Sequence, residues 1–138
     1  MNKIELMQSF AGFDEFLVYL LAAGLLLAVF VAIYVRITPY REIVLIRAGN
    51  VAAAYSLSGA MLGMVIPLSS AIKGSVGLID MAIWGVIALV VQLLVFVVAR
   101  ITLPNIAIDI PADKQASGIF LGVVSLSGGI ISAACMSY

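Results

Sequence analysis

Few side chains in this 138-residue chain could do chemistry, and they stand apart from one another. Cys135 is the lone cysteine and there is no histidine. A Ser-His-Asp triad, Cys-His nucleophilic catalysis, an intramolecular disulfide and a thiolate metal site within one chain are all excluded. Asp80 and Asp109 each fall singly beside an apolar stretch, Asp80 as a helix cap within reach of Lys73. Neither has a partner for acid-base work. Seven basic residues cancel seven acidic ones, which removes the basic surface a nucleic-acid binder needs. The expectation is a protein without enzymatic activity, cofactor or metal, and without nucleic acid as a partner.

The remaining polar residues lie inside or at the ends of apolar runs, where their chemistry is solvation or adhesion. Gln92, in Val90-Val91-Gln92-Leu93-Leu94, is an amide near a helix centre. Such a group is costly in hydrocarbon unless bonded, so it is expected to face protein and bond across helices; the alternative is contact with a solute. Pro67 lies four residues after Gly63 and frees that carbonyl, which predicts a kink or break. Freed carbonyls near Ser69 and Ser70 could line a cavity, or neighbouring hydroxyls could satisfy them. Asn50 begins the second long apolar run and suits a cap or a headgroup contact. Together Asn50, Pro67, Ser69, Ser70 and Gln92 are the candidates for a polar path.

Four uncharged stretches must position these groups: Phe16 to Val35, Ala48 to Ile72, Met81 to Ala99 and Ser117 to Tyr138. About 20 apolar residues suffice for a helix to cross roughly 30 Å of hydrocarbon. With 64% hydrophobic and 10% charged residues and a mean hydropathy of +1.25, the chain lies far outside the soluble range. The predicted fold is an all-α integral membrane four-helix bundle, one transmembrane domain over 1–138, with spans near 16–35, 48–72, 81–99 and 117–136. The N-terminus is too acidic, and the run after it too long, for a cleaved secretion signal. Residues 3–13 carry Ile4, Met7, Phe10 and Phe13 at helical spacing and read as an interfacial helix or a frayed end.

The halves resemble one another. An offset of 64 places Val35-Arg36-Ile37-Thr38 on Ala99-Arg100-Ile101-Thr102, and an offset of 63 places Gly59 on Gly122 and Ser69 on Ser132. Two parallel two-helix repeats, 1–72 and 73–138, are expected, related by an axis along the membrane normal. Ala52, Ser56, Gly59 and Gly63 form a small-residue stripe on the second span, and Gly118, Gly122, Ser125 and Gly129 one on the fourth. In lipid such stripes let backbones approach, either within the chain or between subunits. The connections 36–48 and 100–116 are ambiguous. Ile43-Val44-Leu45-Ile46 and the alternation of Ile106, Ile108 and Ile110 suit a small strand ribbon, whereas Thr38-Pro39 is also a good helix start.

Basic residues distribute five to two in favour of the first and third connections, with Arg36, Arg41, Arg47, Arg100 and Lys114 against Lys3 and Lys73. Those connections are therefore expected in the cytoplasm and both termini outside it. Tyr19 and Trp84 fall at one membrane interface, Tyr34 and Tyr40 at the other.

Seven ordered patches, Thr38-Pro39-Tyr40, Gly49-Asn50-x-Ala52-Ala53, Pro67-Leu68-x-Ser70-Ala71-Ile72, Asp80-Met81-x-x-Trp84-Gly85, Gln92, Gly118-x-Phe120-Leu121-Gly122 and Ala133-Ala134-Cys135-Met136, resemble the YjfL-type family of bacterial inner-membrane proteins. The likeness runs from Phe16 to the C-terminus. It implies a four-span plasma-membrane protein with a role in envelope maintenance beside cytoplasmic membrane-stress proteins, and it supplies no catalytic or ligand residue. The expected function is that of a homo-oligomeric assembly or membrane-maintenance module among membrane lipids, the alternative a small channel or transporter.

Overall fold

Each uncharged run becomes one continuous helix, and the first and third connections each form a short turn of helix. In the computed structural model, which describes residues 1–136, the order is α1 (Lys3–Ser9), α2 (Phe13–Ile37), α3 (Glu42–Arg47), α4 (Val51–Gly74), α5 (Leu78–Thr102), α6 (Ile106–Asp109) and α7 (Gln115–Cys135). No strand occurs among the described residues. Four of these elements, counting α1 and α2 as one run, are long and apolar enough to cross a membrane.

The ribbon expected of the two connections is replaced by α3 and α6, and burial shows why. Ile106 and Ile110 are both buried while Ile108 between them is exposed, which is an i, i+4 period and not an alternating one. In α3, Glu42 is buried and Leu45 and Ile46 are half-buried, again one helical face. The helix does not begin at Pro39. Thr38 spends its hydroxyl on the Val35 and Tyr40 carbonyls at 3.2 and 3.3 Å, closing α2, and Arg41 takes the cap position of α3.

Two residues in left-handed conformation set the long helices that follow. Gly49 (φ 89°) reverses the chain ahead of α4, and Asp113 (φ 57°) does so ahead of α7. Asn50 caps α4 by accepting from the Ala53 amide at 2.8 Å, and its own amide donates to the Ile110 carbonyl at 2.8 Å. Asp113 adds a second cap from a distance. Its Oδ1 accepts from the Val51 and Ala52 amides, both at 2.9 Å, so the third connection is latched onto the start of α4.

The core centres on α4, whose stripe of Ala52, Ser56, Gly59 and Gly63 is buried. Helix α7 lies along it in the same direction, with Gly118 over Ala52, Gly122 against Tyr55 and Gly59, and Gly129 over Gly63. Helix α5 covers both, and α2 packs on α4 and α5. Phe30, Tyr34, Met64, Met81 and Phe96 fill the space between these layers. Leu21, Leu25, Ile83, Leu94, Val98 and Ile131 face outward, as helices in hydrocarbon require.

Pro67 does not break α4, which continues as one helix to Gly74. The Gly63 carbonyl that it releases is covered by the backbone of Gly129 on α7. A Cα–H of glycine against a carbonyl is a weak but real partner. Protein, not a cavity, therefore meets the orphaned group.

Candidate functional site

The polar residues proposed for a path do not converge. Asn50 is consumed at the start of α4 by Ala53 and Ile110. Gln92, 2% exposed, donates to the Ser125 carbonyl of α7 at 2.8 Å, and its Oε1 is buried without a partner. Pro67 is buried, and Ser69 and Ser70 are half-buried; Ser69 borders a shallow apolar groove between α2 and α4 with Leu20, Ala23, Val65 and Leu68. The side-chain hydrogen bonds of Asn50 and Gln92 go to residues outside this set.

The stripe residues are brought together. Ala52, Gly59, Gly63, Gly118, Gly122 and Gly129 form a backbone-to-backbone seam between α4 and α7, and Ser125 presses its carbonyl side against Gly63. A Cβ placed on Gly59 would collide with the Gly122 backbone, and one on Gly129 with the Gly63 backbone. Glycine is required there by contact. Ser56 is buried as well, but its hydroxyl is engaged elsewhere.

That hydroxyl is the hub of a polar cluster at the end of the bundle formed by the first connection. Tyr34, from the last turns of α2, and Tyr40, from the connection to α3, place their phenol oxygens 3.3 and 3.4 Å from Ser56 Oγ. Glu42, the first residue of α3, completes the group. It is 1% exposed, and neither carboxyl oxygen has a hydrogen-bond partner of ordinary geometry among the described residues. Phe96 packs edge-on against Tyr34, ring centroids 5.1 Å apart, and Phe30 lies against the same ring at 5.7 Å, so aromatic carbon closes the membrane side.

The electrostatics follow from this enclosure. Burial raises the Glu42 carboxyl from its ordinary 4.5 to about 8, and the neighbouring Tyr40 hydroxyl draws it partway back. The group is therefore mostly protonated at neutral pH. Burial likewise pushes the Tyr40 phenol well above its ordinary value; Ser56 opposes this, the Glu42 charge adds to it, and Arg100 at the end of α5 opposes it more weakly. Tyr40 remains a donor throughout the physiological range. Among the described residues the ion pair present is Lys114 to Asp109, 3.2 Å, with Ser117 donating to the same carboxylate at 3.1 Å. No trio of His, Cys, Asp or Glu is placed to hold a metal among them.

Sequence reasoning missed this cluster. Tyr34 and Tyr40 read as an interfacial aromatic belt, and Ser56 as one small residue in a stripe. Glu42 gave one signal, a carboxylate three and four positions before Leu45 and Ile46, hence on the apolar face of a short helix.

Comparison with known proteins finds relatives of this sequence. The profile of a Domain of Unknown Function (DUF350) matches residues 6–136. The UPF0719 inner membrane protein YjfL of Escherichia coli (strain K12) is 43% identical over 123 residues, covering 89% of this chain and 93% of the relative. The UPF0719 transmembrane protein YshE of Bacillus subtilis (strain 168) is 29% identical over 122 residues, covering 87% and 91%. No solved structure matches.

Proposed function

This chain belongs to the DUF350 family, and from that premise we propose that it is a non-enzymatic, multi-pass protein of the bacterial inner membrane that works by assembling with copies of itself in envelope maintenance. The observation that carries this reading is the α4–α7 seam. Backbones in direct contact at Gly59, Gly63, Gly122 and Gly129 close the space between α4 and α7. The polar groups beside it are spent within the chain, Gln92 on Ser125 and Asn50 on Ile110.

Two like-oriented units, 1–72 and 73–138, underlie this architecture. Register supports it: α3 and α6 begin 64 residues apart at Glu42 and Ile106, α4 and α7 begin 64 apart at Val51 and Gln115, and α2 and α5 begin 65 apart. With α4 and α7 parallel, an axis along the membrane normal passes through their seam. The basic connections face the cytoplasm, with both termini outside it, and cytoplasmic membrane-stress proteins would meet the chain at α3 and α6. A second copy meets it through the lipid-facing surfaces, since the glycine stripes are occupied internally.

The test is cross-linking of the full chain in native membranes, with cysteines introduced on outward residues of α2 and α5 such as Leu21 and Leu94. Discrete dimers or higher oligomers support the assembly reading; a monomer at every position and lipid density removes it. The rival function, a small channel or transporter, requires flux through reconstituted liposomes.

A further inference from the structure

A carboxyl that is 1% exposed, unpartnered and without a basic neighbour in contact is an expensive thing to keep in a membrane protein. The fold itself does not demand it. At the 64-residue offset Glu42 corresponds to Ile106. Ile106 opens α6 as Glu42 opens α3, and it is equally buried at 1%. At this buried position one unit carries hydrocarbon and the other a carboxyl.

The spacing of those oxygens is informative. Ser56 Oγ stands 3.3 Å from the Tyr34 hydroxyl and 3.4 Å from the Tyr40 hydroxyl, whereas an O–H···O bond prefers about 2.7–2.8 Å. Oxygens bound to one cation at about 2.3–2.6 Å, the range for Ca2+ and for the similarly sized Na+, lie about 3.3–3.7 Å apart when they subtend a right angle. The charge count selects valence. One carboxylate balances one positive charge, while a divalent ion would need more anionic ligands and about six to eight oxygens. The groups that interact with Glu42 are Tyr40 from the α2–α3 connection and Tyr34 from α2, and Ser56 of α4 joins the two phenols. Arg100 of α5 acts on Tyr40, and Arg41 and Arg47, flanking α3, are exposed.

We propose that Glu42, Tyr40, Ser56 and Tyr34 form a binding site for a monovalent alkali cation, taken up from the aqueous face of the first connection in exchange for the Glu42 proton. The balance is one for one: the carboxyl O–H breaks, its proton leaves to water, and the carboxylate oxygen and the three hydroxyl oxygens take the cation. The buried site stays neutral in both states, which is what a low-dielectric enclosure permits. Phe30 and Phe96 pack on the Tyr34 ring beside it. The site goes beyond the assembly reading; only the comparison of units uses the repeat register.

The experiment uses the full chain in lipid nanodiscs and a hydrophobic carbodiimide, which modifies protonated carboxyls in apolar surroundings. Sodium, potassium and lithium chloride are compared with tetramethylammonium chloride at equal ionic strength. The expected result is that at least one alkali cation slows Glu42 modification at pH 7 and raises the melting temperature at pH 9. Its half-effect concentration should be lower at pH 9 than at pH 7, because the cation competes with the carboxyl proton. Glu42→Gln should melt cooperatively and lose both effects, while Tyr40→Phe and Ser56→Ala keep the carboxyl reactive and weaken protection about tenfold or more. Equal labelling and melting in alkali and tetramethylammonium salts overturns the proposal and leaves a proton site alone; a cation effect that survives Glu42→Gln overturns it too. Cross-linking of the same samples reports assembly separately, so a failure here is distinguishable from a failure of the assembly reading.

Discussion

At the scale of single residues, the dominant cost is the enclosed Glu42 carboxyl, and its sign can be worked out. The folded chain holds the proton up to about 8, whereas the unfolded chain releases it near 4.5. The folded state thus binds more protons across that window, and the stability this gives is fully present below 4.5 and lost as pH rises to about 8. In tetramethylammonium salts the melting temperature of the wild-type protein should fall over this interval and level off above it, and Glu42→Gln should remove that component of the slope. A slope identical in the variant would place the titration elsewhere. Gln92 is the opposite case, an amide whose role was legible because a polar group at mid-span must bond to something. It does, to the Ser125 carbonyl, but its Oε1 is left unpartnered. Gln92→Leu loses a bond worth roughly 0.6–2 kcal/mol in a membrane and also removes an orphaned acceptor costing about 1–3 kcal/mol. The net change in thermal stability in detergent should therefore be small, within about 1 kcal/mol either way. Glu42 was not legible in the same manner, since a carboxylate between Arg41 and Ile43 is ordinarily a solvated loop residue.

At the scale of elements, the α4–α7 seam holds the bundle by contact distance. Gly59→Ala and Gly129→Ala each drive a Cβ into the facing backbone, which cannot give way as a flexible side chain does. Overpacking of this kind costs about 1–3 kcal/mol, and both variants should melt earlier than wild type. Gly24→Ala is the control, because a Cβ on Gly24 of α2 meets nothing within 4 Å. Equal melting of all three would show that the seam is not what holds α4 to α7. The Asp113 latch is a second element-level device. Asp113→Ala strips the Val51 and Ala52 amides of their shared acceptor, and a lost cap costs typically about 1 kcal/mol. Faster hydrogen exchange at the start of α4 should accompany it. The spans were readable because 20 uncharged residues admit one solution in lipid, while the connections were not, because four to six residues fit either period. Only burial of Ile106 with Ile110, and of Glu42 beside Leu45 and Ile46, decides for helix.

At the scale of the whole molecule, orientation rests on the distribution of five basic residues against two. A cysteine introduced at Ser75 should react with an impermeant thiol reagent added to intact cells, and one introduced at Asn105 should not, in a background where Cys135 is replaced by serine. The reverse pattern would invert the bundle. The proposed repeat rests in sequence on the Arg-Ile-Thr that ends both α2 and α5, and the matched starts of α3 with α6 and of α4 with α7 are compatible with it though hardly any identical residues fall at those positions. Helices packed through glycine backbones, with Phe30 and Phe96 against Tyr34, fit the proposed bundle that assembles and does not conduct. The most direct measurement is ion flux into liposomes reconstituted with fully assembled wild-type protein, followed with sodium, potassium and proton gradients. Flux indistinguishable from protein-free liposomes is the predicted result; a conductance carried by the wild type and lost in an equally assembled Gln92→Leu variant would contradict the sealed scaffold and make the protein a channel.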